Sequence, residues 1–364
     1  MKISEVIQEL EKLAPLSLQE SYDNAGLIVG DSNAEAMHPI ICLDSTEAVV
    51  DEAIAAGSNL IIAHHPIVFS GLKSITGKNY IEKTLLKAIK NDIAIYAIHT
   101  NLDNVKAGVN KIMGEKIGLR NLKILSPKRE LLTKLVFFCP NADAEKVRNA
   151  VFEAGAGKIG EYDSCSFNLE GKGTFKAGEN TKPHVGKKGQ LHTEAETRIE
   201  TIVPNTLLSN VLQAMTSAHP YEEVAYDLYP LKNRWSEVGS GMIGQLEQPM
   251  AADKFLDHLK IALNAKVVRH TKIVIEKVSK VAICGGSGSF LLGDAIAQKA
   301  DIFVSADFKY HQFFDANEKL VIADVGHFES EQFTMQLIQE YLQKKIPNFA
   351  TYLSKVNTNP INYR

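Results

Sequence analysis

Apolar runs and amphipathic stretches alternate through the first third of the chain. The runs "PIICLDS" (39–45), "NLIIA" (59–63) and "DIAIYAI" (92–98) are almost continuously apolar, as in strands that are covered on both faces. Helical spacing appears between them, for example in "TEAVVDEAIAAG", where Thr46 suits an N-cap and Gly57 suits a C-terminal stop. This alternation predicts an α/β unit around a mostly parallel sheet.

The pattern changes near residue 129, and the α/β alternation returns after residue 232. In between, a strand, a helix, a Gly- and Lys-rich region of short strands, a second helix and a last strand follow one another. This is the order of a split βαβ, ferredoxin-like unit. We therefore predict that 1–128 and 233–364 form one α/β domain around a mostly parallel sheet, and that 129–232 is an inserted α+β domain. The N-cap of its second helix, "NTLLSNVLQAMTSA", is expected at Asn205 or Thr206.

Composition narrows the class of protein only a little. The 364 residues are 45% hydrophobic and 23% charged with a formal net charge of -3, which is ordinary for a globular protein and argues against a nucleic-acid partner. Apolar runs are too short for a signal peptide core or a membrane span. Four scattered cysteines favour reduced thiols over disulfides or a thiolate zinc site. We expect a cytoplasmic protein without a membrane partner.

Histidines and carboxylates follow three of the predicted strands. The carboxyl edge of a parallel sheet brings such segments together, and ligands bind there in α/β proteins. The residues are His64 and His65 in "HHP", His99 and Asp103 in "HTNLD", and His327 and Glu331 in "GHFESE".

The local spacing favours a pair of metal ions. Adjacent residues of an extended chain point to opposite sides, and Pro66 favours the extended conformation for His65, so His64 and His65 address different targets. His327 and Glu331 lie one helical turn apart on one face, where a glutamate can bridge two ions. Imidazole and carboxylate ligands suit Zn²⁺, Fe²⁺ or Mn²⁺. Such a pair keeps a net positive charge and favours a bridging hydroxide.

Each motif also has a purely structural explanation when it is taken alone. An isolated "HHP" is more often structural, Asp103 could cap a helix, and "GHFESE" could be a helix start. Their coincidence at three strand ends favours a metal site.

Other motifs are weaker candidates. The turn "CGGSGS" is either an anion cradle or a tight turn, and Lys309 and His311 either reach the same sheet edge or lie on a half-buried helix. For "HPYEEVAYD", which begins at His219, we favour a structural role.

Several motifs, in order, resemble the GTP cyclohydrolase 1 type 2 homologs, also called Nif-three-like proteins. They are "YDNAGLIVG", "LDST", "AHHPIVFSGLKSI", "IHTNLDNVKAGVN", "CGGSGS" and "DVGHFESEQ", and "HPYEEVAYDLYPL" matches the longer members. The resemblance covers nearly the whole chain. It implies a Nif-three-like domain with an inserted PII/CutA-like domain, and a ring-shaped homohexamer that encloses the metal sites.

The resemblance also implies the ligands of a dinuclear centre, with Glu331 bridging. They are His64, His65, Asp103, His327 and Glu331, the same residues that the spacing favours. We expect two divalent ions per chain, with Zn²⁺ first and Fe²⁺ or Mn²⁺ as alternatives.

Two functions follow as hypotheses. The first is a metal-dependent hydrolase that acts through a metal-bridging hydroxide on a small-molecule or nucleotide ligand, with His99 as an orienting group or proton shuttle. The cyclohydrolase name is taken as a label by homology, because the scattered cysteines cannot supply thiolate ligands. The second is a non-enzymatic protein of metal storage, metal delivery or regulation.

Overall fold

The computed structural model describes all of residues 1–364, which form two compact units. The first unit consists of Met1–Pro127 and Glu237–Arg364, and the second of Lys128–Ser236. None of the helices has both the length and the apolar composition needed to cross a lipid bilayer.

The helices and strands alternate along most of the chain. The α-helices are α1 (Ile3–Leu13), α2 (Glu47–Ala56), α3 (Tyr80–Lys90), α4 (Thr100–Asp103), α5 (Val109–Ile117), α6 (Ala144–Glu153), α7 (Leu208–Ala218), α8 (Ala252–Ala262), α9 (Leu292–Ala297), α10 (His327–Glu331) and α11 (Thr334–Lys345). The strands are β1 (Gly26–Val29), β2 (Ile40–Asp44), β3 (Leu60–His65), β4 (Ala94–Ala97), β5 (Leu119–Arg129), β6 (Leu132–Pro140), β7 (Ser166–Lys176), β8 (Leu191–Pro204), β9 (Tyr226–Leu231), β10 (Arg234–Ala251), β11 (Arg269–His270), β12 (Lys277–Ser287), β13 (Ile302–Ala306), β14 (Val321–Asp324) and β15 (Tyr352–Leu353).

The first unit contains two sheets. The five-stranded sheet has the order β1-β4-β3-β2-β15, in which every pair is parallel except β1 with β4. The six-stranded sheet has the order β11-β14-β13-β12-β10-β5, with a parallel centre of β12, β13 and β14. The prediction of one mostly parallel sheet was therefore wrong. Two buried parallel triplets look alike in sequence, so apolar runs alone cannot tell one sheet from two.

Local signals placed the first α/β elements well. The Thr46 side chain accepts a hydrogen bond from the Val49 backbone N–H, and Gly57 ends α2 in the left-handed conformation. Both faces of β3 are covered, since Leu60, Ile61 and Ile62 are all fully buried. These interactions fix the strand whose end carries the first two histidines.

Two helix predictions differ from the structure. The helix expected after β14 is interrupted at Gln332 and Phe333, so it forms α10 and α11. In the second unit, α7 begins at Leu208, so its N-cap is Leu207 and not Asn205 or Thr206. Asn205 has other partners, because its side chain accepts a hydrogen bond from Thr133 Oγ1 and donates one to the Glu130 carbonyl. Residues 205–207 form a 3-10 turn instead.

The second unit has one antiparallel sheet with the order β7-β8-β6-β9. Helices α6 and α7 pack on one face of this sheet around Phe137, Ile199 and Met215. The Gly-rich region contributes β7, which is longer than the short strands expected there. The first part of this region is therefore one continuous strand, and residues 178–190 form the mostly exposed loop between β7 and β8.

Candidate metal centre

The ends of three strands bring the six predicted residues of the site together. β3 ends in His64 and His65, His99 precedes α4 after β4, and α10 follows β14 with its first and last residues in the site. The ligand atoms form three overlapping groups, each within 4.8 Å: His64, His65 and His99; His65, His327 and Glu331; and His64, Asp103 and Glu331.

The Glu331 carboxylate lies at the centre of this cluster. Its Oε2 is 2.9 Å from His65 Nε2 and 3.0 Å from His327 Nε2. The same oxygen is 3.9 Å from His64 Nε2, which in turn is 3.6 Å from Asp103 Oδ1. Glu331 therefore belongs both to a group with His65 and His327 and to a group with His64 and Asp103.

Every imidazole of the cluster is held by its Nδ1 atom. This N–H donates to a fixed oxygen, so the Nε2 atom of each ring is turned toward the other ligands. The pairs are His64 with the Ile98 carbonyl (2.8 Å), His65 with Asp44 (2.8 Å), His99 with Asp23 (2.7 Å) and His327 with Asp307 (2.7 Å).

The three anchoring aspartates were missed as functional residues by the sequence reasoning. Asp44 is the last residue of β2, and its Cα pairs in register with that of His65 on β3. Asp307 directly follows β13. The available signal was that each lies at the carboxyl end of a parallel strand, as the histidines do, although β2 and β13 belong to different sheets. Asp23 lies in a loop, where no such rule applies.

The Gly-rich turn after β12 is a tight turn next to the cluster. The Gly285 N–H donates to Asn110 Oδ1 and the Gly286 N–H donates to Ser330 Oγ, so these two groups already have partners within the protein. Gly286 has a φ of +59°, and a Cβ atom at this position would collide with Glu331. The turn leaves space for the central carboxylate, which favours the tight-turn interpretation over the anion cradle.

The ionisation of the histidines depends on the carboxylates around them. Burial alone would lower the pKa of His65, but hydrogen bonds to Asp44 and Glu331 outweigh it and raise the pKa to about 9. Burial is likewise outweighed at His327, where Glu331 and Asp307 raise the pKa to about 11. Burial prevails at His64 and lowers its pKa to about 3. Two of the imidazoles are therefore protonated at neutral pH, and His64 is neutral.

The two candidate carboxylate ligands have opposite pKa shifts. Burial, followed by the charge of Glu331, raises the pKa of Asp103 well above its ordinary value. Burial would also raise the pKa of Glu331, but the charge and hydrogen bond of His327, with those of His65, lower it well below the ordinary value. The charges of His65 and His327 therefore keep Glu331 ionised, whereas at Asp103 they do not outweigh burial and the charge of Glu331.

Two buried polar atoms at the centre have no hydrogen-bond partner. They are His64 Nε2 and Asp103 Oδ1, and burying such atoms unsatisfied is costly. In addition, His65 Nε2 and His327 Nε2 are 3.3 Å apart, about the distance between two ligand atoms that each lie roughly 2.0–2.1 Å from one tetrahedral ion. These donors fit a divalent cation, and all of them are nitrogen or oxygen.

Comparison with known proteins gives the family. A profile described as "Duf34/NIF3 (NGG1p interacting factor 3)" matches residues 1–360. The chain belongs to this DUF34/NIF3 family. It is similar to a "GTP cyclohydrolase 1 type 2 homolog" of Halalkalibacterium halodurans, with 41% identity over 98% of both chains. A protein of the same name from Bacillus subtilis is 36% identical over 99% of this chain and 98% of its own.

A solved structure of a Bacillus cereus "protein related to NIF3" is also similar. It is 42% identical, covers 100% of this chain and 99% of its own, and superposes with a TM-score of 0.90. The resemblance to the DUF34/NIF3 family that the motifs indicated is therefore confirmed.

The remaining sequence candidates do not join the cluster of this DUF34/NIF3 protein. Lys309 and His311 are both exposed, and the His311 ring contacts Tyr310 and Phe314. His219 is buried in the second unit, where Nε2 donates to the Phe138 carbonyl and Nδ1 accepts from the Tyr221 N–H. This contact pattern supports the structural role that we favoured for His219.

Binding of Zn²⁺ should release protons and become tighter as the pH rises. His65 and His327, with pKa values of about 9 and 11, carry protons at pH 7, and a metal ligand must lose its proton. For each displaced proton the apparent affinity should rise about tenfold per pH unit between about pH 6 and pH 8. Calorimetric titrations in two buffers of different ionisation enthalpy measure the proton number.

The matched control is His311→Asn, which alters an exposed histidine outside the cluster. It should release as many protons as the unchanged protein. Zn²⁺ binding without proton release, or with an affinity independent of pH, would contradict these ionisation states.

Proposed function

We propose that the chain binds two divalent metal ions and acts as a metal-dependent hydrolase. The observation that carries this proposal is the pair of ligand groups that share Glu331. His65 and His327 would hold one ion with Glu331, and His64 and Asp103 would hold the other. Zn²⁺ is the first choice, with Fe²⁺ or Mn²⁺ as alternatives, because the donors are imidazole and carboxylate.

Bound divalent ions would supply Lewis acidity, which lowers the pKa of water and polarises a phosphoryl or carbonyl oxygen. The protein supplies fixed geometry for this chemistry. The Nδ1 hydrogen bonds keep each ring in one orientation, and Glu331 is almost fully buried with only 4% of its side chain exposed. A site that reorganises little on binding is suited to stabilising charge that develops during a reaction.

His99 is the group that we assign to proton transfer or orientation. Its ring lies 5.3 Å from the rings of His64 and His65, measured between centroids. Asp23 holds its Nδ1 and also accepts hydrogen bonds from the Thr100 backbone N–H and hydroxyl. Burial opposes ionisation of Asp23, but these hydrogen bonds lower its pKa to about 2. An ionised Asp23 accepts the His99 Nδ1–H and so fixes the orientation of the ring.

The names of relatives and the chemistry of a two-metal site suggest which substrates to test. Relatives are named GTP cyclohydrolase 1 type 2 homologs, so nucleotides are the first compounds to test. Phosphoesters and amides are the next, because a two-metal site can activate water against any of these bonds. A metal-storage, metal-delivery or regulatory protein is the alternative, in which the ions bind and exchange without turnover.

The direct test replaces the shared carboxylate by Glu331→Gln. The amide keeps the size of the side chain but removes the charge that both ligand groups share, so ion binding should weaken and turnover should fall at least about 100-fold. Glu340→Gln is the matched control, since it changes an exposed glutamate of α11 in the same way. Metal content is measured by atomic emission, and turnover on a panel of nucleotides and phosphoesters.

Equal turnover in Glu331→Gln and in the control would overturn the hydrolase proposal. Two bound ions without turnover on any compound of the panel, combined with rapid exchange of the ions, would favour storage or delivery instead.

We further propose a homohexamer in which Lys128–Ser236 is an inserted PII/CutA-like domain. The order β7-β8-β6-β9, with α6 between β6 and β7 and α7 between β8 and β9, supports a ferredoxin-like unit. Three aromatic side chains of the first unit support assembly, because Phe290, Tyr310 and Phe314 are 68%, 74% and 67% exposed. Exposed apolar groups of this size often lie at subunit contacts.

Light scattering of the full-length chain should give a particle mass equal to six chains. A chain in which a short Gly-Ser linker replaces residues 128–236 should still fold and bind the same number of metal ions per chain. A smaller assembly would contradict the hexamer, and loss of metal binding in the shortened chain would contradict an independent inserted domain.

A further inference from the structure

Two aromatic rings lie exposed beside the metal-ligand cluster. Tyr22 is 63% exposed and Phe69 is 51% exposed, yet their ring centroids are only 6.1 Å apart. Phe69 is 6.2 Å from the His99 ring, and His99 is 5.3 Å from the His65 ring. A continuous series of ring contacts therefore leads from the exposed pair to the histidines.

The backbone below both rings is held in place. Asn24 Nδ2 donates to the Val68 carbonyl at 2.7 Å, which joins the loop of Tyr22 to the loop of Phe69. Next to Tyr22, the Asp23 carboxylate accepts four hydrogen bonds, from Asn24, His99 and twice from Thr100. Next to Phe69, Val68 packs against the core of the five-stranded sheet. The rings are therefore presented to solvent by an ordered backbone.

The geometry of the pair leaves ring faces free for another group. The planes of Tyr22 and Phe69 are tilted by 41°, so neither ring covers the face of the other. Phe69 meets His99 edge to face at 74°. Aromatic rings bind other flat rings through offset or edge-to-face contacts, and bases stack on exposed aromatic side chains in this way.

The pKa of the Tyr22 hydroxyl is also affected by charged groups of the site. Burial is the largest cause of its raised pKa, and the charges of Glu20, Asp23 and the candidate ligand Asp103 raise it further. A group bound against Phe69, whose ring centroid is 6.2 Å from that of His99, would lie close enough to the cluster to place a second group of the same molecule there.

We propose that Tyr22 and Phe69 form a subsite for a flat aromatic or heteroaromatic ring of the ligand, next to the group that the metal ions bind. The inference rests on the proposed metal centre and adds the class of ligand. A small anionic ligand would gain little from two tilted, exposed rings, whereas a flat ring gains contact with both.

The test compares two ligands that share one metal-chelating group. Acetohydroxamate carries a methyl group where benzohydroxamate carries a ring, so the ratio of their affinities isolates the ring. Calorimetry on the Zn²⁺-loaded full chain should show benzohydroxamate binding about tenfold more tightly than acetohydroxamate. In the double variant Tyr22→Ala and Phe69→Ala this ratio should fall to about one, while acetohydroxamate affinity is retained.

Two controls separate the ring from other effects. The variant Tyr22→Phe keeps the ring and should keep the ratio. The variant Tyr352→Ala removes a 49% exposed tyrosine whose strand position pairs with Ile40, at the opposite end of β2 from Asp44, and should also keep it. Thermal unfolding confirms that each variant is folded, as expected for exposed side chains.

Three outcomes decide the inference. The inference is supported if the ratio of the two affinities falls to about one in the double variant and is kept in both control variants. Equal affinities of the two hydroxamates for the unchanged protein, or a ratio that survives in the double variant, overturns the subsite while the metal centre stands. Failure of acetohydroxamate to bind the Zn²⁺-loaded chain overturns the metal centre and the subsite together.

Discussion

The whole site depends on the contact of the Glu331 carboxylate with imidazole rings that are held in fixed orientations. A carboxylate 2.9 Å and 3.0 Å from two Nε2 atoms would be an ordinary ion-pair network if the rings could turn away. They are restrained because each Nδ1 donates to a backbone carbonyl or an aspartate. Gly286 leaves the space that the carboxylate occupies. Binding geometry is thus present before any ligand arrives, which reduces the reorganisation on binding.

The protonated imidazoles of His65 and His327 carry the positive charge at the centre of the cluster. The positive charges of His65 and His327 offset the anchoring aspartates and Glu331, while burial and the charge of Glu331 raise the pKa of Asp103. His64 Nε2 and Asp103 Oδ1 remain buried without hydrogen bonds. Divalent ions would replace the protons and give these two atoms a partner. Such a partner would be stabilising, because buried polar groups without hydrogen bonds are unfavourable.

Sequence patterns predicted the parts of this protein that depend on local spacing. The apolar runs placed β2, β3 and β4, the cap at Thr46 was correct, and the strand-end rule brought the six candidate residues of the site to one place. Sequence patterns did not predict contacts between residues that are far apart in the chain. Asp23 and His99 are 76 residues apart, and their hydrogen bond depends on how the loop after α1 folds over β4. The strand-end position of Asp44 was visible in the sequence, but its pairing with His65 depends on the register of β2 and β3.

The division into two sheets was hidden for a related reason. Each set of three parallel strands is apolar on both faces, so the sequence does not show whether the two sets belong to one sheet or to two. The start of α7 depended on competition for one side chain, since Asn205 is used by Thr133 and Glu130 and not by the helix. These features arise from tertiary contacts that override local preference.

The central claim is that Glu331 joins two cation sites. Anomalous X-ray diffraction from crystals grown with Zn²⁺ tests it most directly, because it locates ions independently of any activity. We expect two peaks about 3.5–4 Å apart, one beside His65 and His327 and one beside His64 and Asp103, with Glu331 between them. A single peak away from Glu331, or no peak at these residues in Zn²⁺-saturated crystals, would contradict the account.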